Sequence, residues 1–132
     1  MENPTIMKAL LNRYYKALCE KGELHPLLSE NFLLIETGSK EIRGPDAHAN
    51  SLFFKFARSL EVKKIIIEGG SACAVVNYNL VSQNGEGFSC ESAEVWEIKN
   101  GKLCSLAMYF DTASYQKFMI PLLFPLSRFK KK

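Results

Sequence analysis

The sequence predicts an α+β domain: a curved antiparallel sheet with helices packed on one face of it. Two observations carry that expectation. Apolar residues recur at helical spacing as far as Leu60 and alternate with polar ones from Val62 onward. Gly69-Gly70, Asn84-Gly85 and Asn100-Gly101 then divide the second half of the chain into consecutive hairpins. Helices that precede a meander have one apolar face to cover, and they pack on it.

Asn3-Pro4 starts the first helix, with Asn as cap and Pro where a missing N–H costs nothing. Met7, Leu10, Leu11, Tyr14 and Leu18 form its buried stripe, and Gly22 is the expected left-handed stop. A short amphipathic segment over 23–29 follows, with Pro26 in its first turn, and then a strand over 32–37. Gly44-Pro45-Asp46 opens a second long helix whose face is Ala49, Leu52, Phe53, Phe56 and Leu60. Four strands succeed it, over 62–68, 72–82, 88–98 and 103–111.

Turn type decides which strand residues face inward. Two-residue turns at Asn84-Gly85 and Asn100-Gly101 would set Glu94 opposite Val75 and Ala107. Three-residue turns with a left-handed Gly and a bulge slip each pairing by one. Glu94 then faces Ala74 and Leu106, Ser92 faces Val76 and Met108, and Cys90 faces Tyr78 and Phe110. The second register gathers Val76, Tyr78, Leu80, Phe88, Trp96, Leu106, Met108 and Phe110 on one face, and the first splits that set. A single coherent apolar face favours the bulged register.

Composition excludes several classes of function. At 132 residues, 47% hydrophobic and 23% charged, the chain reads as one compact domain and not as a disordered or repetitive one. No apolar run approaches the roughly 20 residues of a membrane span, and Lys8, Asn12 and Arg13 interrupt any N-terminal signal, so a cytoplasmic location is expected. The formal charge is +3, yet Arg128, Lys130, Lys131 and Lys132 crowd the last five positions, and without them it is −1. A nucleic-acid partner would want its basic patch on the folded body, so none is expected. Cys19, Cys73, Cys90 and Cys104 contain no CxxC, and with His25 and His48 they match no zinc spacing; buried or half-buried reduced thiols are expected. The domain is expected to span 1–118, with an apolar, basic tail over 119–132 in which Pro121 and Pro125 prevent one long helix. That tail packs on the domain or on a partner, or its cations touch an anionic membrane surface.

The layout resembles the SnoaL-like, nuclear transport factor 2-like superfamily, which includes the ketosteroid isomerases. Tyr14-Tyr15-Lys-Ala-Leu ahead of Gly22-Glu-Leu, Leu27-Leu-Ser-Glu-Asn-Phe, Ile42-Arg-Gly-Pro-Asp, and Ala93-Glu-Val-Trp-Glu-Ile-Lys-Asn-Gly-Lys-Leu running to Tyr109-Phe-Asp carry the resemblance. It implies a cone in which the helices lie on the concave face of the sheet and enclose an internal pocket. It also implies a homodimer, a small hydrophobic ligand and no cofactor, in a superfamily whose activities run from isomerases, cyclases and hydratases to binding modules. By resemblance to the isomerase pattern, its tyrosine falls on Tyr15, its protonated acid on Glu94, where the pattern has an aspartate, and its base near Glu36, with Thr37 as the competing position.

The residues have their own reading beside the resemblance. Glu94 sits mid-strand in the apolar row, where burial favours the neutral carboxyl and makes it a hydrogen-bond donor or acid. Alternatively it is bridged to Tyr15 or to water. Tyr15 lies at the edge of the helical stripe, able to fill space and still hydrogen-bond inward. Glu36 is a proton-abstracting base if it shares a face with Phe32 and Leu34. Asp111 is a further acid, although alternation puts it outside, where it would cap the next helix. Phe53, Tyr78, Trp96, Leu106, Met108 and Phe110 are the expected ligand-lining set. His25 and His48 are expected to be solvated or loosely packed.

Overall fold

The computed structural model describes residues 3–37 and 41–123. Helix α1 (Pro4–Glu20) is followed by a 3₁₀ turn (His25–Leu27), strands β1 (Leu28–Glu36) and β2 (Glu41–Arg43), a second 3₁₀ turn (His48–Asn50) and helix α2 (Leu52–Phe56). Then come β3 (Ala57–Glu68), β4 (Ser71–Val81), β5 (Gly87–Lys99), β6 (Lys102–Phe110) and helix α3 (Thr112–Leu123). The six strands form one sheet in the order β2-β1-β6-β5-β4-β3. The meander β3 to β6 is antiparallel throughout, and β1 joins β6 in parallel, so the sheet is mixed. Among the described residues no helix is long and apolar enough to cross a membrane.

Asn3 Oδ1 accepts from the backbone N–H of Thr5 and Ile6 and caps α1. Met7, Leu10, Leu11, Tyr14 and Tyr15 are its buried face. At the other end Lys21, not Gly22, takes the left-handed position with φ 56°, and both backbone N–H groups reach Ala17 O. The 23–29 segment contracts to one 3₁₀ turn, and β1 begins four residues earlier than expected, at Leu28.

The long second helix does not form. Gly44, with φ 105°, holds a turn, and Ser51 caps a helix of only five residues. From Ala57 the chain is already extended, with Leu60 opposite Tyr78 and Val62 opposite Val76. So short a helix gains little by itself. The β-branched run Val62, Ile65, Ile66, Ile67 favours extension, and Leu60 meets the interior as well from a strand as from a helix.

The two Asn-Gly turns differ. Around Gln83-Asn84-Gly85, Ser82 N donates to Glu86 O and Gly85 has φ 86°, which is the expected three-residue turn. It pairs Ala74 with Glu94, Val76 with Ser92 and Tyr78 with Cys90. Asn100 (φ 53°) and Gly101 (φ 72°) instead make a two-residue turn closed by the pair Lys99–Lys102, and the irregularity lies in β6, between Leu103 and Ser105. Glu94 therefore faces Met108 and Trp96 faces Leu106, two residues along from the expected register. An offset of two preserves the face, so the inward set survives.

Helix α3 runs through Pro121, with Phe118 packed on the core and Met119 buried. The basic end of the tail, with its membrane reading, lies outside the described residues.

A Cβ at Gly101 meets no atom within 4 Å, so substitution there costs only backbone strain. Gly101→Ala is expected to cost about 1 kcal/mol, seen as a melting temperature lowered by roughly 4 °C. Gly87→Ala, with equal space and no left-handed φ, is expected to leave it unchanged or slightly raised.

Candidate functional site

One cross-strand row organises the interior. Glu36 on β1 pairs with Met108 on β6, Met108 with Glu94 on β5, Glu94 with Ala74 on β4, and Ala74 with Ile65 on β3. Two carboxyl side chains, 58 residues apart in the chain by their numbers, thus flank Met108 on the concave face. At one strand spacing each side, their backbones lie about 10 Å apart.

Glu94 is 0% exposed. Tyr15, on the inner face of α1, donates its hydroxyl to Glu94 Oε1 at 2.6 Å. Tyr78, two strand positions beyond Val76 on β4, donates to Oε2 at 2.7 Å. Trp96 Nε1 in turn donates to the Tyr15 oxygen at 3.0 Å. Burial pushes the carboxyl up to about 7, against the pull of the Tyr15 and Tyr78 hydrogen bonds. Ser92, inward on the same strand, has the smallest influence, and its Oγ has no hydrogen-bond partner among the described residues. Burial, and then the neighbouring Glu94 charge, drive both phenols far above their ordinary value, so they stay protonated.

This centre has a simple proton arithmetic. With Glu94 ionised, both phenol hydrogens are spent on the carboxylate and nothing is left to offer. Adding one proton turns Glu94 into a donor toward one phenol oxygen, and that phenol's hydrogen is released for another acceptor. A carboxyl titrating near 7 sits at the balance between these states.

Glu36 is 6% exposed and accepts a hydrogen bond from Ser51 Oγ, the hydroxyl that also caps α2. Burial raises its carboxyl above the usual range, and the Ser51 bond partly offsets this. Asp111 is exposed; it accepts from Ser114 N at 3.2 Å and Ser114 Oγ at 2.8 Å and caps α3, which holds its carboxyl below the usual range. The interior does not receive it. Of the expected lining, Phe53, Tyr78, Trp96, Leu106 and Met108 are fully buried and Phe110 is half-buried. Phe53 packs at 5.0 Å from Tyr78, 5.1 Å from Phe110 and 5.5 Å from Tyr115 of α3, ring centre to ring centre. A cavity of about 40 Å³, enough for a few waters, reaches Tyr78 between Leu18, Cys19, Phe54 and Leu60.

His48 corrects its expectation. It is 8% exposed, stacked on Phe32, and 2.6 Å from the Tyr14 hydroxyl through Nε2. The long second helix expected to start just before it does not form. His25 is exposed beside Asp46, as expected, and Cys19 is an exposed thiol where a covered one was expected. The hydrogen-bonding role of Tyr78 was readable only as its place opposite Cys90 on the inward face.

Proton linkage makes the buried acid testable. Unfolded, Glu94 titrates near 4.5, and folded near 7. Between these values the folded protein keeps a proton that the unfolded chain has lost. The stability from this group is therefore full below pH 4.5 and falls away as pH rises to 7, by a few kcal/mol. Glu36 acts in the same sense. His48, lowered by burial from 6.5 to about 4, opposes them: its contribution is full above 6.5 and is lost as pH falls toward 4. The stability of Glu94→Gln relative to the natural protein, from urea unfolding at pH 4.5 to 7.5, is expected to climb with pH by on the order of 2 kcal/mol or more. A pH-independent difference would mean that Glu94 titrates as it does in water.

No protein-family model matches the sequence, and no curated protein does. Solved structures do match. A candidate SnoaL-like polyketide cyclase from Jannaschia sp. CCS1 superposes with a TM-score of 0.75 at 10% identity, covering 89% of this chain and 94% of that one. TerC, co-crystallised with polyporic acid, gives 0.74 at 11% identity over 85% and 96%. A nuclear transport factor 2-like protein of unknown function from Burkholderia pseudomallei K96243 gives 0.73 at 16% identity over 92% and 99%. Superposition this complete on both sides gives the chain the SnoaL-like, nuclear transport factor 2-like fold.

Proposed function

We propose that the protein binds a small apolar carbonyl compound inside the cone and moves a proton on it without a cofactor, as an isomerase, a cyclase or a hydro-lyase does. The row that sets Glu36 and Glu94 on either side of Met108 carries this reading. Ionised Glu36 takes a proton from the carbon beside the carbonyl. The electron pair moves onto the carbonyl oxygen, and the hydrogen released by protonating Glu94 meets the charge there. Glu36 then returns its proton at a second carbon. That TerC was co-crystallised with polyporic acid supports the view that this fold admits a small organic compound. Phe53, packed on Tyr78, Phe110 and Tyr115, shifts to admit the ligand.

A second reading, a binding module without catalysis, has its own support. The Glu94 network is complete as it stands, with both carboxyl oxygens and the Tyr15 oxygen occupied. A cytoplasmic location is supported by four free cysteines. A homodimer is supported by the outer row Ile66, Cys73, Val95, Ala107 and Ile35, which crosses five strands without a charge, beside Tyr109 at 55% exposure.

Two measurements check these proposals. A panel of cyclic ketones in deuterated water is expected to exchange hydrogen beside the carbonyl faster with the protein, read by proton NMR. Glu36→Gln is expected to cut that rate by about 10²-fold or more. A ketone that binds without exchange would leave the binding module. In sedimentation the protein is expected as a dimer, and Tyr109→Lys as largely monomer; a monomeric natural protein would remove the dimer.

A further inference from the structure

A second recess lies apart from the Glu94 centre. It is a groove of about 280 Å³ between the last turn of α1, the 3₁₀ turn at His48, and the junction of α2 with β3. Its apolar wall is Leu18, Leu24 and Phe54, and Lys21, Lys55 and Arg58 stand exposed around it. No carboxylate lines it, and none of the three cations has an ion-pair partner among the described residues.

His48 forms part of this wall, and its Nδ1 is buried without a hydrogen-bond partner among the described residues. Among the described residues the Tyr14 hydroxyl bonds only to His48 Nε2. If Nε2 carried the hydrogen, the Tyr14 hydrogen and Nδ1 would both be stranded. If Tyr14 donates to Nε2, a single group is left over, the Nδ1 N–H. Neutral His48 thus holds, within the groove wall, a buried hydrogen-bond donor with no acceptor among the described residues to meet it. An unmet buried donor costs free energy, and an arriving oxygen removes that cost.

We propose that this groove is a binding site for a small apolar carboxylate. The ring or chain lies on Leu18, Leu24 and Phe54. The His48 ring turns outward so that one carboxylate oxygen accepts from Nδ1, and the charge faces Lys21, Lys55 and Arg58. The volume suits a compound with one ring or a short chain, at the lower limit of ordinary ligand sites. Phe54, 6.0 Å from the Tyr78 ring, separates the groove from the Glu94 centre, so the site stands whether or not proton transfer occurs there.

Phenylacetate, phenylacetamide and inorganic phosphate are the probes, titrated into full-length protein by calorimetry and by amide and imidazole NMR. Phenylacetate is expected to bind at least 10-fold more tightly than the amide and than phosphate, and more weakly as salt is raised. Its shifts are expected at Leu18, Leu24, Phe54 and the His48 Nδ1 proton. The exposed double variant Lys55→Ala/Arg58→Ala is expected to lose 10-fold or more in affinity while keeping its amide spectrum. Equal binding of the amide would overturn the proposal, as would equal binding of phosphate, shifts confined to other residues, or full affinity in the double variant.

Discussion

Desolvating a carboxyl group is the constraint around which this interior is built. Glu94 lies at the centre of a sheet face made mainly of Ala, Val, Leu, Met and aromatic side chains, and it is fully buried. A carboxyl there needs two donors if charged and one acceptor if neutral. Tyr15 and Tyr78 serve both states, because a phenol can give or receive. That requirement puts Tyr15 on the inner face of α1, ties α1 to β4 and β5, and draws Trp96 in as the donor to the Tyr15 oxygen. Much of the helix–sheet contact is thus specified by polar geometry inside an apolar core.

Face is more robust than register. The Asn84-Gly85 turn, with its left-handed glycine, was legible as a three-residue turn. Asn100-Gly101 was not, because both its residues adopt left-handed φ and the irregularity moved into β6. The resulting offset of two still turned Glu94, Ser92, Trp96, Leu106 and Met108 inward, since sheet faces repeat every second residue. What could not be read was tertiary. Helical spacing across 49–60 was equally satisfied by one turn followed by an edge strand, and three-residue β2 is too short to signal itself. His48 was misplaced with that helix, and so the unmet nitrogen that marks the groove went unseen.

The two recesses are of opposite character. The Glu94 centre is closed in by rings at contact distance. The groove at His48 is open and rimmed with cations, with a donor oriented by Tyr14 buried in its wall. Both depend on α1, whose adjacent tyrosines divide the work: Tyr15 turns to Glu94 and Tyr14 to His48, with their rings 4.9 Å apart, edge to face. A shift of this helix would disturb both places together.

The parallel pairing of β1 with β6 brings the ends of the domain together, because Glu36 and Met108 become neighbours only after most of the intervening chain has its place. Contacts so distant in sequence carry a large loop-closure entropy and are slow to form. Closing this pair is therefore the step that brings Glu36, from the first third of the chain, into the row that holds Glu94.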